Sequence, residues 1–334
     1  MVDLSQYNLH NHFNLETVEY STDAEWLELR KNGIGGSDAA ACMRLSKYMS
    51  PVKLYKIKTG LLEEDLSDNV FVKKGKALES FIRDTYVVPY LYEMGYSVTH
   101  PDVMFVNTQI PFLQANVDGI AIPLDPALDK PSDNIIIEIK WVSPYAEVNW
   151  NGDTYCGIPA NYYAQVQHYM TVTGAKRAIV CALFDADWEV KYYEIPYNPT
   201  FSAKLVDECR QFYDHVCAGI EPEITPSLDK AEAAALVHKA PIKYVEDSHV
   251  TELCAEYLYK YEQAKQLDVE CTKLKDMITV AYFNGRGPDA SYRVRVSERV
   301  TSGVDNNILK EKYPEAYENS KRTSSFSVTS IKKV

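Results

Sequence analysis

Two acids and a lysine occupy a stretch where an apolar strand has no structural use for charge. Residues 135–141 read Ile-Ile-Ile-Glu-Ile-Lys-Trp, and Asp118 follows Val117 and precedes Gly119. Side chains alternate along a strand, so Glu138 and Lys140 share one face with Ile136, while Ile135, Ile137, Ile139 and Trp141 share the other. A buried carboxylate or ammonium is costly unless it is paired, hydrated or bound to an ion. The twenty residues from Asp118 to Glu138 suffice to bring Asp118 beside it on a neighbouring strand. Two adjacent carboxylates raise each other's pKa unless a cation lies between them, and hard oxygen donors suit Mg²⁺ or Mn²⁺. Such an ion can lower the pKa of bound water and neutralise charge on a phosphate while a lysine positions the nucleophile, which is the equipment of phosphodiester hydrolysis. The same three residues would also serve as a cross-strand ion pair, with Asp118 capping the turn before Gly119.

Two further clusters carry chemistry. Gly33-Ile-Gly-Gly-Ser37-Asp38 opens a helix, with Ser37 expected as its N-cap, and backbone N–H groups at a helix start attract anions. No Gly-Lys-Ser/Thr follows, so it is not a P-loop, and no strand with a ribose-binding acid gives it a dinucleotide context. A glycine turn with a serine cap is the plain alternative. Gln165 and Gln167 lie two helical steps apart, about 200 degrees around the axis, and cannot both face one site. Gln167 is expected against solvent or the core, and His168 as a packed or exposed histidine and not a ligand.

The elements that must hold these residues follow from periodicity. Helices are expected over 23–31, over 39–43, over 75–94 with a bend at Pro89 and an end at Gly95, over 159–173 and over 200–219. Strands are expected over 103–106, 115–122, 134–142, 176–184 and 188–195. The outcome is an α/β (α+β) core, a central mixed β-sheet flanked by helices. Two prolines among acidic residues at 220–227 mark a boundary between residues 1–220 and a C-terminal extension, 221–334. There a heptad seam predicts a long helix over about 249–284, interrupted at Lys260, before a strand-like run at 292–300, a short helix around 306–317 and a Ser/Thr-rich end.

The chain has 334 residues, 46% hydrophobic and 25% charged, the balance of an ordinary globular protein. Its formal net charge of −12 argues against a uniformly basic DNA-coating surface but leaves room for a local cleft. Seven scattered cysteines with no Cys-x-x-Cys spacing suggest reduced thiols, with no zinc site, disulfide framework or iron–sulfur cluster. No apolar run has the length of a membrane helix and the first residues do not read as a signal peptide, so a cytoplasmic location is expected, with no membrane partner.

Gly-Lys-Ala-Leu-Glu79, Ala-Asn-Val-Asp118-Gly, Ile-Glu138-Ile-Lys140 and Tyr-Ala-Gln165-Val-Gln167, in this order, resemble the lambda-type exonucleases and especially their YqaJ-like viral recombinase branch, within the PD-(D/E)xK nuclease superfamily. The ordered motifs cover roughly residues 23–217, and the proline usual before the first aspartate is Val117 here. The resemblance implies a restriction-endonuclease-like core. It implies that Asp118, Glu138 and the Ile139 carbonyl bind Mg²⁺ (or Mn²⁺), that Lys140 assists the attacking water, that Glu79 approaches a second metal position and that Gln165 lies near the centre. A surface pair between Glu79 and Arg83 is the alternative for that acid. Arg30, Ser37 and Asn116 would hold a terminal 5′-phosphate, with Lys76 beside Glu79 on the DNA side; Asp38 is an awkward neighbour for an anion. The implied activity is 5′-to-3′ degradation of double-stranded DNA ends to 5′-phosphomonoesters, in phage or prophage recombination. The implied partners are a single-strand annealing protein and further copies of the chain in a ring, such as a trimer. A structure-selective endonuclease, or a catalytically silent DNA-binding or assembly module, would share the core. The C-terminal extension resembles that of YqaJ-like proteins, and its helix would fold back on the core, assemble subunits or dock the annealing protein.

Overall fold

The computed structural model describes residues 7, 9, 14–63, 68–152, 154–230, 246–288 and 311–313. The chain forms two compact units, Met1–Ala233 and Ala234–Val334. The first runs β1 (Leu15–Glu19), α1 (Asp23–Lys31), α2 (Gly36–Cys42), α3 (Pro51–Lys58), α4 (Val70–Ile82), α5 (Val88–Glu93), β2 (Tyr96–Thr99), β3 (Val103–Asn107), β4 (Gln114–Ala115), β5 (Gly119–Pro123), β6 (Ile135–Val142), α6 (Ala160–Thr173), β7 (Arg177–Phe184), β8 (Glu189–Pro196) and α7 (Pro199–Ala218). The second contains α8 (Ser248–Phe283).

The main sheet has the order β2-β5-β6-β7-β8. β6 and β7 are parallel and the other neighbours antiparallel, so this is the mixed sheet expected, with α6 as the crossover between the parallel pair. The alternation along β6 is realised. Ile135, Ile137 and Ile139 pack with Ile82, Val87 and Leu91 of the α4–α5 layer, while Ile136 points into the larger core with Ala164, Val166 and Phe212 of α6 and α7. Both faces are therefore covered by helices, as the restriction-endonuclease-like expectation required. β1, β3 and β4 form a separate three-stranded sheet.

Several local expectations are corrected. The single strand expected over 115–122 is two strands in two sheets: β4 pairs with β3, and β5 pairs with β2 and β6. Ser37 is not the cap of α2. Gly35 holds that position, and the Asp38 carboxylate accepts the Gly35 N–H at 3.0 Å, as an acid at the third helical position can. The helix expected from 75 begins at Val70, because the Asn69 side chain accepts from the Phe71 and Val72 N–H groups. Pro89 leaves an N–H missing within the helical path, and residues Arg83–Val87 just before it widen into a π-turn. Gly95 ends the path at φ +85, as expected. Three elements lie outside the expected set: β1 and β2 are short and lack the continuous apolar run that marks β3, whereas α3 has a readable start in Ser50, which caps it, and Pro51 in its first turn.

The segment past α7 is still part of the first unit and packs on its N-terminal elements, where Arg44 donates to Thr225 Oγ1 at 2.7 Å and the Ser50 hydroxyl donates to Asp229. α8 is the long helix predicted, capped by Asp247, and none of its residues is buried. Lys260, the interruption in the seam, pairs with Glu256 one turn earlier. The strand expected over 292–300 lies outside the described residues, as does the helix around 306–317 apart from 311–313. No helix among the described residues is long and apolar enough to cross a membrane.

Candidate active site

The β5–β6 register explains how Asp118 reaches Glu138. Gly119 lies opposite Ile137 and Ile120 opposite Ile136, so the next position along β5 falls opposite Glu138. The chain leaves the ladder there, having just crossed from the small sheet, and the Asp118 side chain takes over: its Oδ2 accepts the Ile139 N–H at 2.8 Å. His100 holds the same residue from outside, its Nδ1 at 2.9 Å from the Asp118 carbonyl. Glu138 is 1% exposed, with Oε1 paired to the Lys140 ammonium and Oε2 buried without a hydrogen-bond partner. Lys140 also lies over the Tyr162 ring, 4.8 Å from its centroid.

The charges in this corner do not balance. Burial, and then the nearby Asp118, push the Glu138 carboxyl up to about 8 despite Lys140. Burial also raises Asp118, against the pull of Lys140 and the Ile139 N–H, while burial followed by Asp118 raises Glu79. Burial alone would lower Lys140, but Glu138 and Asp118 outweigh it and hold the ammonium charged. Burial is the largest cause at all three acids, and the lowering pull of Lys140, joined at Asp118 and Glu79 by His100 and Arg83, does not offset it.

These residues fit a small hard cation. The donors are all oxygens, and the orphaned Glu138 Oε2 is a buried lone-pair site with no proton to accept. Among the described residues no three acidic, histidine or cysteine side chains converge on one point, so two carboxylates and a backbone carbonyl would be completed by water or phosphate. Mg²⁺ is characteristically bound in that way.

The trio opens into a cleft of about 790 Å³. Glu79, Asp118, Glu138, Ile139, Lys140 and Gln165 line one part of it, and Arg30, Ser37 and Asn116 another. Nine of the ten residues singled out from the sequence are therefore brought together. The tenth, Lys76, is exposed on α4 and does not line the cleft. Arg83 pairs with Asp84 and not with Glu79. Gln165 donates to the Tyr169 hydroxyl at 2.9 Å, whereas Gln167, on the far side of α6, bonds the Pro196 carbonyl at 2.8 Å and the Asn198 N–H at 2.9 Å. His168 is fully buried with Nε2 at 3.0 Å from the Ile34 carbonyl, and burial lowers its pKa to about 4, so it is a structural, neutral histidine.

At the other end the arrangement departs from a simple phosphate pocket. Both amide protons of Asn116 are engaged, by the Tyr20 hydroxyl and the Val103 carbonyl at 3.2 Å each, and its oxygen accepts from Trp26 Nε1 at 3.1 Å. Ser37 is exposed. Arg30 stacks over Trp26 at 4.8 Å and pairs with Asp38 at 3.2 Å. Asp38 is held further by Lys58 at 2.7 Å, a residue of α3 that the sequence does not mark. Tyr169, by contrast, was within reach of sequence reasoning: four residues after Gln165, it shares that face of α6.

Tyr169 also explains a glycine. A methyl group on Gly36 would come within 2.4 Å of the Tyr169 ring, which is 5% exposed and has nowhere to move. Gly36→Ala is expected to destabilise the protein by about 1–3 kcal/mol in chemical denaturation, the range of an overpacked core. An unchanged midpoint would show that α2 slides freely over α6.

Residues 25–176 match the family model of the YqaJ-like viral recombinase domain. Over 330 residues the chain is 26% identical to the uncharacterized protein YqaJ of Bacillus subtilis (strain 168), covering 95% of this chain and 96% of that one. Among solved structures, the alkaline exonuclease LHK-Exo from Laribacter hongkongensis is similar at 22% identity and a TM-score of 0.45, covering 64% of this chain and 99% of that one. A phage related exonuclease from Haemophilus somnus 129PT is similar at 12% identity and a TM-score of 0.37, covering 58% of this chain and 99% of that one. Residues 25–176, which contain Arg30, Ser37, Glu79, Asp118, Glu138, Lys140 and Gln165, are thus similar to the YqaJ-like viral recombinase domain.

Proposed function

We propose that this chain is a Mg²⁺-dependent nuclease that degrades double-stranded DNA from 5′ ends, releasing 5′-phosphomonoesters and exposing single strands for annealing in phage or prophage recombination. The observation that carries the reading is the pair of acids, half-buried Asp118 and buried Glu138, set opposite each other with a free carboxylate oxygen and a charged lysine at the wall of an open cleft. Asp118, Glu138 and the Ile139 carbonyl would hold the ion. When bound, Mg²⁺ activates a water and takes up charge developing on the phosphate. Lys140, kept protonated by the acids around it, orients that water as a hydrogen-bond donor. Glu79 and Gln165 enter the same cleft from α4 and α6, Glu79 toward a second ion. Mn²⁺ would substitute, since its ligand preferences are similar. An annealing protein that receives the exposed strand, and a homo-oligomeric ring around the duplex, belong to the same proposal.

Polarity rests on the Arg30 end of the cleft. A guanidinium makes stronger charge-assisted contacts to a terminal phosphate dianion than to an internal diester. A 5′-phosphorylated, end-labelled duplex should therefore be degraded at least about tenfold faster than its 5′-hydroxyl counterpart in a Mg²⁺ time course. Equal rates on the two substrates would end the 5′-exonuclease reading. They would favour an endonuclease on the same core, a reading that has one observation behind it: the Asn116 amide protons are already spent within the protein.

A further inference from the structure

Asp38 presents a problem for any anion bound near Arg30. Its carboxylate lies at the start of α2, pairs with Arg30 Nη2 at 3.2 Å and accepts the Gly35 N–H at 3.0 Å. Left to itself, a carboxylate beside a guanidinium draws it into a two-pronged contact, the geometry that planar fork favours. Arg30 would then face Asp38 and not the cleft.

The structure contains a third charge that prevents this. Lys58, near the end of α3, has a side chain 4% exposed, and its ammonium donates to Asp38 Oδ2 at 2.7 Å and to the Arg30 carbonyl at 2.5 Å. A lysine side chain this enclosed is rare and needs a partner; here it has two, the Asp38 carboxylate and the Arg30 carbonyl. Lys58 occupies one carboxylate oxygen, so Arg30 has a single contact at the other, and its side chain remains 28% exposed among the cleft residues. Burial alone would raise the Asp38 carboxyl, but Lys58 and then Arg30 hold it down to about 2, so the aspartate stays charged. Two cations and one anion leave this end of the cleft with one net positive charge.

We propose that Lys58 is a positioning residue that sets the preference for a terminal phosphate, by neutralising Asp38 so that Arg30 remains available to the cleft. Lys58 does not touch the DNA, and its effect passes entirely through Asp38. The inference rests on the reading of Arg30 as the 5′-phosphate contact.

The test is a double-mutant cycle on the full chain, read as the ratio of kcat/KM for 5′-phosphoryl over 5′-hydroxyl duplex, with KM and kcat separated. Lys58→Met should lower the ratio about tenfold or more, chiefly through KM for the phosphorylated substrate, and Lys58→Arg should restore most of it. Asp38→Asn should keep the ratio at the wild-type value or above. Adding Lys58→Met to Asp38→Asn should change nothing further, because the charge that Lys58 answers is gone. A further loss of more than about threefold in that double variant would overturn the inference, and this comparison stands even if Lys58→Met alone does not fold. If the wild type shows no preference, the reading of Arg30 fails. If the wild type discriminates, Arg30→Gln abolishes discrimination and Lys58→Met leaves it intact, the Lys58 inference alone fails.

Discussion

Glu138→Gln should abolish Mg²⁺-dependent degradation while leaving the metal-free protein at least as stable as the wild type. The substitution preserves shape and hydrogen-bonding size, so packing against Ile136 and the α6 layer is retained. It removes the one carboxylate with a buried, unpartnered oxygen. Loss of residues that merely support a metal ligand costs about 10–100-fold, and loss of the ligand itself should cost on the order of a thousandfold or more in rate. Stability runs the other way. The Glu138 carboxyl is raised from 4.5 to about 8, so the folded state binds its proton more tightly than the unfolded chain does. Its stabilising contribution is complete below 4.5 and is lost as pH rises through about 8. The metal-free wild type should thus gain stability as the pH is lowered across that window, by on the order of 5 kcal/mol, and Glu138→Gln should flatten the slope. Mg²⁺ should raise the melting temperature of the wild type by several degrees at saturating concentration and that of the variant hardly at all. Retained cleavage by Glu138→Gln would remove Glu138 from the site, and a silent wild type under every divalent ion would favour the assembly-module reading.

The second large effect is at Lys140. Lys140→Met removes the positive charge paired with the buried Glu138 and near the half-buried Asp118, and breaking a buried pair at one partner costs about 3–5 kcal/mol. Lys140 is 22% exposed, so solvent reduces that figure to about 2–3 kcal/mol, read as a lower midpoint in urea without metal. Millimolar Mg²⁺ should recover most of the loss, since the ion supplies the missing charge, yet activity should remain down by on the order of a hundredfold or more because the donor that orients water is gone. Stability that falls and is not recovered by Mg²⁺ would mean that Lys140 serves packing against Tyr162 and not charge balance. Taken with Glu138→Gln, this separates two readings of the corner: a structural ion pair predicts that both variants lose stability, a cation site predicts opposite signs.

How much was legible before the fold was known differs from residue to residue. Glu138 and Lys140 were readable as a same-face pair because the strand period is local, and the apolar neighbours on both sides showed that the strand is buried. Gln165 was separated from Gln167 by helical geometry alone, and the structure sends them to opposite sides of α6. Asp118 was recognised as an acid of interest, but the strand drawn through it is in fact the gap between two sheets. Ser37 was given a capping role that belongs to Gly35 and Asp38. The Arg30 end was read from family resemblance, and the engagement of Asn116 by Tyr20, Trp26 and Val103 could not be seen in the residues, since those partners lie as far as 96 positions away.

By itself the sequence determined the alternation of β6, the faces of α6, the presence of two acids and a lysine with metal-site chemistry, and the order of helices and strands around them. These depend on periods of two or 3.6 residues, which neighbouring side chains report directly. Only the tertiary structure decided that Asp118 meets Glu138, that burial outweighs the cations around the three acids, and that Lys58 shares Asp38 with Arg30. Each of those depends on a register or a helix contact between distant segments, where one residue of slip would send a side chain to the opposite face.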